Sequence, residues 1–182
     1  MEQLFWQLYE NVYDRILLKL HPYRLLLNEA LVHLDPQPNS TYLDAGCGTG
    51  NFLKMILDKA PEVKLVGADF SEAMLRRTKF KLSGYEKNIV LETQDFNEKV
   101  SLREESFDGI SCLNVIYAVK NYELFVSELN RLLIPGGKLV LSTPIKEPKI
   151  SPIMHEHISV LKIKYDRVWM LHFCWQLLKL SF

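Results

Sequence analysis

The chain has 182 residues, enough for one domain with a sizeable apolar core. Its 22 basic and 22 acidic residues cancel, so no net positive field favours nucleic acid, and a basic-groove binder is disfavoured. Cys47, Cys112 and Cys174 lie far apart without metal-ligand spacing, which fits free thiols in a reducing compartment. The start, Met1-Glu2-Gln3-Leu4-Phe5-Trp6, lacks the basic residues and small-residue cleavage site of a signal peptide. No run of about 18 apolar residues occurs. The expectation is a cytoplasmic protein with no membrane span.

Leu4, Leu8, Val12, Ile16 and Leu20 recur at helical spacing and predict a helix over 2–20. Pro22 breaks it or opens a second helix that reaches about Leu34, and Asp35–Ser40 reads as a loop. Thr41-Tyr42-Leu43 is a short buried strand. Asp44 and three alternating glycines follow it, Gly46, Gly48 and Gly50, and then a helix runs from about Asn51 to Pro61. Val63–Ala68 is a second strand ending at Asp69, and Ser71 is the expected N-cap of a helix reaching about Gly84. Ile89–Thr93 is a third strand, followed by Gln94-Asp95-Phe96. Phe107–Leu113 is a fourth, ending near Asn114. Phe125, Leu129, Leu132 and Leu133 mark a helix that Pro135-Gly136-Gly137 terminates, and Lys138–Ser142 is a fifth strand. Strands alternating with helices predict an α/β fold, an open, mostly parallel sheet with helices on both faces. Beyond Pro144 a proline-punctuated loop leads into Ile158, Leu161, Tyr165, Val168, His172 and Trp175 at near-helical spacing. No internal repeat or low-complexity tract is present. The organisation expected is a helical cap over 1–38, a ligand-binding core over 39–145 and a helical segment over 146–182.

The glycine run carries the chemistry. Closely spaced glycines let a ligand touch the main chain, and the following helix directs free N–H groups at the loop. Such a loop holds a nucleotide-like ligand at the carboxyl end of the first strand. Asp44 is placed to meet a ligand ammonium, or to bond the loop's own amides. Asp69 stands where an acceptor for ribose hydroxyls belongs. Asp95 and Phe96 suit an adenine, one taking its amino group and the other its face. Asn114 and Tyr117 fall beside the reacting end of the ligand. Dinucleotide sites read Gly-x-Gly-x-x-Gly, whereas here the run is Gly-x-Gly-x-Gly and Asn51 takes the third dinucleotide position. That argues against a nicotinamide-dependent oxidoreductase.

In family order, the segments Leu43–Gly50, Gly67-Ala68-Asp69-Phe70-Ser71 with Met74-Leu75, Gln94-Asp95-Phe96, Phe107-Asp108-Gly109-Ile110 and Leu133–Leu139 resemble the class I, Rossmann-like S-adenosylmethionine-dependent methyltransferases of the small-molecule type. The resemblance spans roughly residues 38–145. It implies S-adenosyl-L-methionine as cofactor. Asp44, Ala45, Gly46, Cys47, Gly48 and Gly50 would hold the methionine part. Asp69 would take the ribose hydroxyls, with Phe70 and Met74 beside the adenine and Asp95 and Phe96 at its edge and face. Asn114 would lie near the methionine end, and Tyr13 would close the pocket. No catalytic residue is assigned. Tyr117, His155 and His157 are acceptor-side candidates, and His155-x-His157 alone is a poor metal site.

A sulfonium methyl is already activated, so transfer needs orientation and desolvation rather than a metal. Leu113-Asn114-Val115-Ile116-Tyr117 stands where base-modifying relatives carry Asn/Asp-Pro-Pro-Tyr/Phe. That difference and the neutral charge point to a small-molecule or lipid-like acceptor rather than nucleic acid. Trp169, Phe173 and Trp175 suit packing on the sheet, an apolar acceptor or peripheral contact with a membrane. The family's last two strands, an antiparallel hairpin, are not apparent in 144–182, so the chain reads as C-terminally shortened, a natural short member or a truncated one. The rival reading is therefore a catalytically impaired or non-catalytic methyltransferase-like module.

Overall fold

The computed structural model of the chain describes Asp14 and residues 17–143. The elements are α1 (His21–Leu34), β1 (Thr41–Ala45), α2 (Asn51–Lys59), β2 (Lys64–Asp69), α3 (Glu72–Lys81) and β3 (Ile89–Thr93). After them come β4 (Phe107–Leu113), a 3₁₀ turn (Ile116–Ala118), α4 (Tyr122–Leu132) and β5 (Leu133–Ser142). All strand pairs are parallel, in the order β3-β2-β1-β4-β5. The chain therefore builds outward from β1 through β2 to β3, then returns to lay β4 on the other side of β1. Such a reversal opens a crevice beyond the carboxyl ends of the two central strands.

Strand periodicity divides the core between the two faces of the sheet. Tyr42 packs with Leu27, Leu34, Phe52, Leu53, Ile56 and Leu57 from α1 and α2. Its neighbours Leu43 and Ala45 pack with Phe107, Ile110, Cys112, Phe125, Leu129 and Leu132 in a second cluster. Burying each such large side chain contributes about 1.5–3 kcal/mol. Asp44 thus points to the α1–α2 side of the sheet, between two apolar neighbours that point the other way.

The caps follow the sequence. Ser71 Oγ accepts from Met74 N at 3.4 Å to open α3, and Asn121 Oδ1 accepts from Leu124 N at 3.0 Å to open α4. Pro22 lies in the first turn of α1, where its missing N–H costs nothing, so it begins that helix. Of the helix predicted over 2–20, only Asp14, Leu17 and the turn after it fall among the described residues.

One boundary differs. The reading above places Leu133 in a helix and starts the last strand at Lys138, but α4 ends at Leu132 and β5 begins at Leu133. Pro135-Gly136-Gly137 lies within the strand. Phe107 pairs with Leu133 and Gly109 with Lys138, so β5 bulges out by the extra residues, with Gly136 at φ +81°. Proline is tolerated in this position because β5 is the edge of the described sheet and its outer side has no ladder to break.

Candidate functional site

The loop after β1 is tied to the end of β2. The N–H groups of Gly46 and Cys47 both donate to the Ala68 carbonyl, at 2.7 and 3.0 Å. Gly48 N–H donates to Asp69 Oδ2 at 2.8 Å, and Ser71 N–H donates to Asp69 Oδ1 at 2.9 Å. From α3, Thr78 Oγ1 donates to the Gly48 carbonyl at 2.7 Å. This loop passes through left-handed backbone at Gly46 (φ +76°) and Gly48 (φ +54°). The two glycines serve different ends. A Cβ on Gly46 would stand 2.3 Å from Val115 Cγ2, whereas one on Gly48 would meet nothing within 4 Å. Gly48 therefore faces open space, a place where ligand atoms can lie against the main chain.

Two clefts flank the loop and share Gly46, Gly48 and Leu113. One is lined also by Asp69, Phe70, Met74, Asn114, Val115, Tyr117 and Ala118. The other is lined by Tyr23, Leu27, Asp44, Cys47, Thr49, Asn51 and Phe52. Both lie at the carboxyl ends of β1 and β4, where the strand order reverses. Among the described residues, neither has a Lys or Arg in its lining.

Of the residues singled out from the sequence, Asp69, Phe70, Met74 and Asn114 meet on the first cleft, Asp44 and Cys47 on the second, and Gly46 and Gly48 border both. Ala45 is fully buried beneath the loop. Gly50 packs on Thr78 instead, its Cβ position only 2.6 Å from Thr78 Cγ2. Asp95 is exposed and accepts from Asn97 N at 2.9 Å, and neither it nor Phe96 is in the lining of either cleft. The Phe96 ring is buried edge-on against Phe125, with centroids 5.8 Å apart. Tyr13, His155, His157, Trp169, Phe173 and Trp175 lie outside the described residues. No group of three or more His, Cys, Asp or Glu gathers to hold a metal among the described residues.

The sequence reading missed a polar cluster behind the second cleft. Thr49 Oγ1 donates to Asp14 Oδ1 at 2.5 Å and Asn51 Nδ2 to the same oxygen at 3.0 Å, while Lys81 Nζ pairs with Asp14 Oδ2 at 2.7 Å. Asn51, noticed only as a non-glycine, was the available signal, since a polar side chain opening an amphipathic helix needs partners.

Burial governs the charges here. Asp44, 3% exposed, accepts a hydrogen bond from Ser111 Oγ at 2.7 Å rather than from the loop amides. Desolvation raises its carboxyl from an ordinary 3.8 to about 7, with Asp69 adding to the rise and Ser111 opposing it. Burial likewise raises Asp69, against its hydrogen bonds from Ser71 and Gly48. The Cys47 thiol is pushed well up by burial and by both carboxylates, so it is a neutral wall and not a nucleophile. A ligand ammonium brought to Asp44 would return the charge that burial suppresses.

The methyltransferase domain pattern matches residues 43–139, from the middle of β1 into β5. The chain belongs to the class I S-adenosylmethionine-dependent methyltransferases. S-adenosylmethionine is the family's cofactor, and the open face at Gly48, the buried Asp44 and the strand-end Asp69 fit it. The chain is 34% identical over 113 residues to the demethylmenaquinone methyltransferase of Deinococcus radiodurans, covering 62% of this chain and 45% of that protein. It is 30% identical over 155 residues to the enzyme of that name from Bacteroides fragilis, covering 78% and 62%. It thus spans about half the length of these relatives. Among solved structures, the S-adenosylmethionine-dependent methyltransferase from Mesorhizobium loti is similar, with a TM-score of 0.56 and 27% identity over 64% of this chain and 50% of that one. No helix among the described residues is long and apolar enough to cross a membrane.

Gly48→Ala is expected to fold, at a cost of about 1–2 kcal/mol for left-handed backbone at a non-glycine residue. Isothermal titration should show S-adenosylhomocysteine binding weakened at least about tenfold, because the new methyl group occupies the open face. A second expectation concerns pH. An acid with a raised folded-state pKa holds its proton more tightly when folded, so stability is fullest below pH 3.8 and falls as pH rises toward 7. The ligand-free melting temperature of Asp44→Asn should therefore fall less steeply over that range than wild type. Asp69, shifted in the same direction, keeps part of the slope in the variant.

Proposed function

We propose that this chain binds S-adenosylmethionine across both clefts and transfers its methyl group to a small, apolar or lipid-like acceptor. The adenosine half would lie along Asp69, Phe70 and Met74, and the methionine half along Gly46, Gly48 and Asp44. When bound, the cofactor supplies an electrophilic methyl on a sulfonium, which an acceptor displaces in line. Asp44 would pair with the amino group, Asp69 would accept from ribose hydroxyls, and Phe70 and Met74 would shield the adenine from water. Asp69 also sets the shape of the site, because its oxygens already hold Gly48 and Ser71.

The observation that carries the acceptor class is the lining of the first cleft. Beyond Phe70 and Met74, which would face the adenine, Leu113, Val115, Tyr117 and Ala118 make it apolar, and among the described residues that line it there is no Lys or Arg to receive a polyanion. Burying an apolar acceptor there removes water from around the sulfonium and places the groups in contact. The names of the two relatives favour a quinol-like ring within this class. The relatives also carry sequence beyond the span they share with this chain, so the acceptor is a matter for direct assay.

The assay is transfer of tritiated methyl from S-adenosylmethionine to a panel holding a short-chain demethylnaphthoquinol, a catechol and a DNA oligonucleotide, with binding measured in parallel. Cofactor binding with label passing to the quinol or catechol, and none to DNA, is expected. Label on DNA alone would overturn the acceptor class. Binding without turnover across the panel would favour a non-catalytic module, and a melting shift with NAD but not with S-adenosylhomocysteine would favour the oxidoreductase reading.

A further inference from the structure

The Asp14, Lys81, Thr49 and Asn51 cluster joins three parts of the chain that are distant in sequence. Asp14 precedes α1, Thr49 and Asn51 belong to the glycine loop and the first turn of α2, and Lys81 is the last residue of α3. Lys81 Nζ contacts Asp14 Oδ2 at 2.7 Å, Thr49 Oγ1 at 3.3 Å and, closely, Asn51 Oδ1. Asn51 Nδ2 donates to Asp14 Oδ1 at 3.0 Å and to the Tyr23 hydroxyl at 3.4 Å. The amide of Asn51 is therefore held in one orientation, its oxygen to the cation and its nitrogen to the anion and the phenol. Thr49, Asn51 and Tyr23 line the second cleft together with Asp44.

The two charges are about three-quarters buried, at 23% and 24% exposure. A lysine near the N-terminus of α2 opposes the helix dipole unless an anion accompanies it. Asp14 is that anion, and each charge would be costly without the other. We propose that Lys81, paired with Asp14, is a positioning residue for the methionine end of the cofactor. It holds Thr49 and Asn51 in the geometry that the amino-acid group meets opposite Asp44. The inference rests on the cofactor placement proposed above.

Two ligands separate positioning from general stability. S-adenosylhomocysteine carries the amino-acid group, and 5′-methylthioadenosine keeps the adenosine and sulfur but lacks that group. Both are titrated calorimetrically into the full chain, as wild type, Lys81→Met, Lys81→Arg and Thr49→Val. Lys81→Met should lose at least about tenfold affinity for S-adenosylhomocysteine and less than about threefold for 5′-methylthioadenosine. Lys81→Arg, which keeps the cation, should restore the first to within about threefold. Thr49→Val is nearly isosteric and should show the same selective loss even if Lys81→Met fails to fold. Unchanged affinity in both Lys81→Met and Thr49→Val, or an equal loss of both ligands, would overturn the proposal. Failure of wild type to bind either ligand would instead overturn the cofactor placement.

Discussion

The architecture of the site depends on the carboxyl end of β2, where one carbonyl and one carboxylate hold the glycine loop. Ala68 O takes two loop N–H groups and Asp69 takes a third while also accepting from Ser71 at the start of α3. The loop would otherwise carry several unsatisfied donors through left-handed backbone, a conformation with little stability of its own. Anchored in this way, it presents the open side of Gly48 to the crevice created by the reversal of strand order between β1 and β4. Parallel pairing brings Ala45 opposite Ala68, which puts loop and anchor at the same height. Fold and site are thus one piece of hydrogen bonding.

Burial sets the electrostatics of the two cleft carboxylates. Asp44 and Asp69 are both buried, and burial raises the carboxyl pKa of each. A folded chain without cofactor gains nothing from holding Asp44 charged in this position. A ligand with an ammonium does, since it replaces the lost hydration of the carboxylate with an opposite charge. Ser111 keeps the carboxylate hydrogen-bonded meanwhile, at 2.7 Å. The chain belongs to a family whose cofactor is a sulfonium nucleoside bearing an α-amino acid, and in the placement proposed above its ammonium would meet Asp44.

Much of this was legible in the sequence, because each signal is local. Apolar runs ending in Asp44, Asp69 and Asn114 identify strands and the ends that line the clefts, and Ser71 announces its helix by its side-chain chemistry. The boundary at Leu133 was not legible. A Pro-Gly-Gly run usually terminates structure, and only pairing with β4 across a bulge turns it into strand. Phe96 looked free to face an adenine, yet it packs on Phe125, which lies far along the chain. The Asp14–Lys81 pair was beyond reach for the same reason. Its partners lie 67 residues apart in sequence, and only the tertiary fold brings the end of α3 to Asp14.

The most direct measurement is a titration of the isotopically labelled chain with S-adenosylhomocysteine, followed by amide nuclear magnetic resonance. The account predicts saturable shifts at Gly46, Gly48, Asp69, Phe70 and Asn114, with Lys138 and Leu141 on the edge strand unmoved. Shifts confined to that edge, or none at these loop amides at saturating ligand, would contradict it.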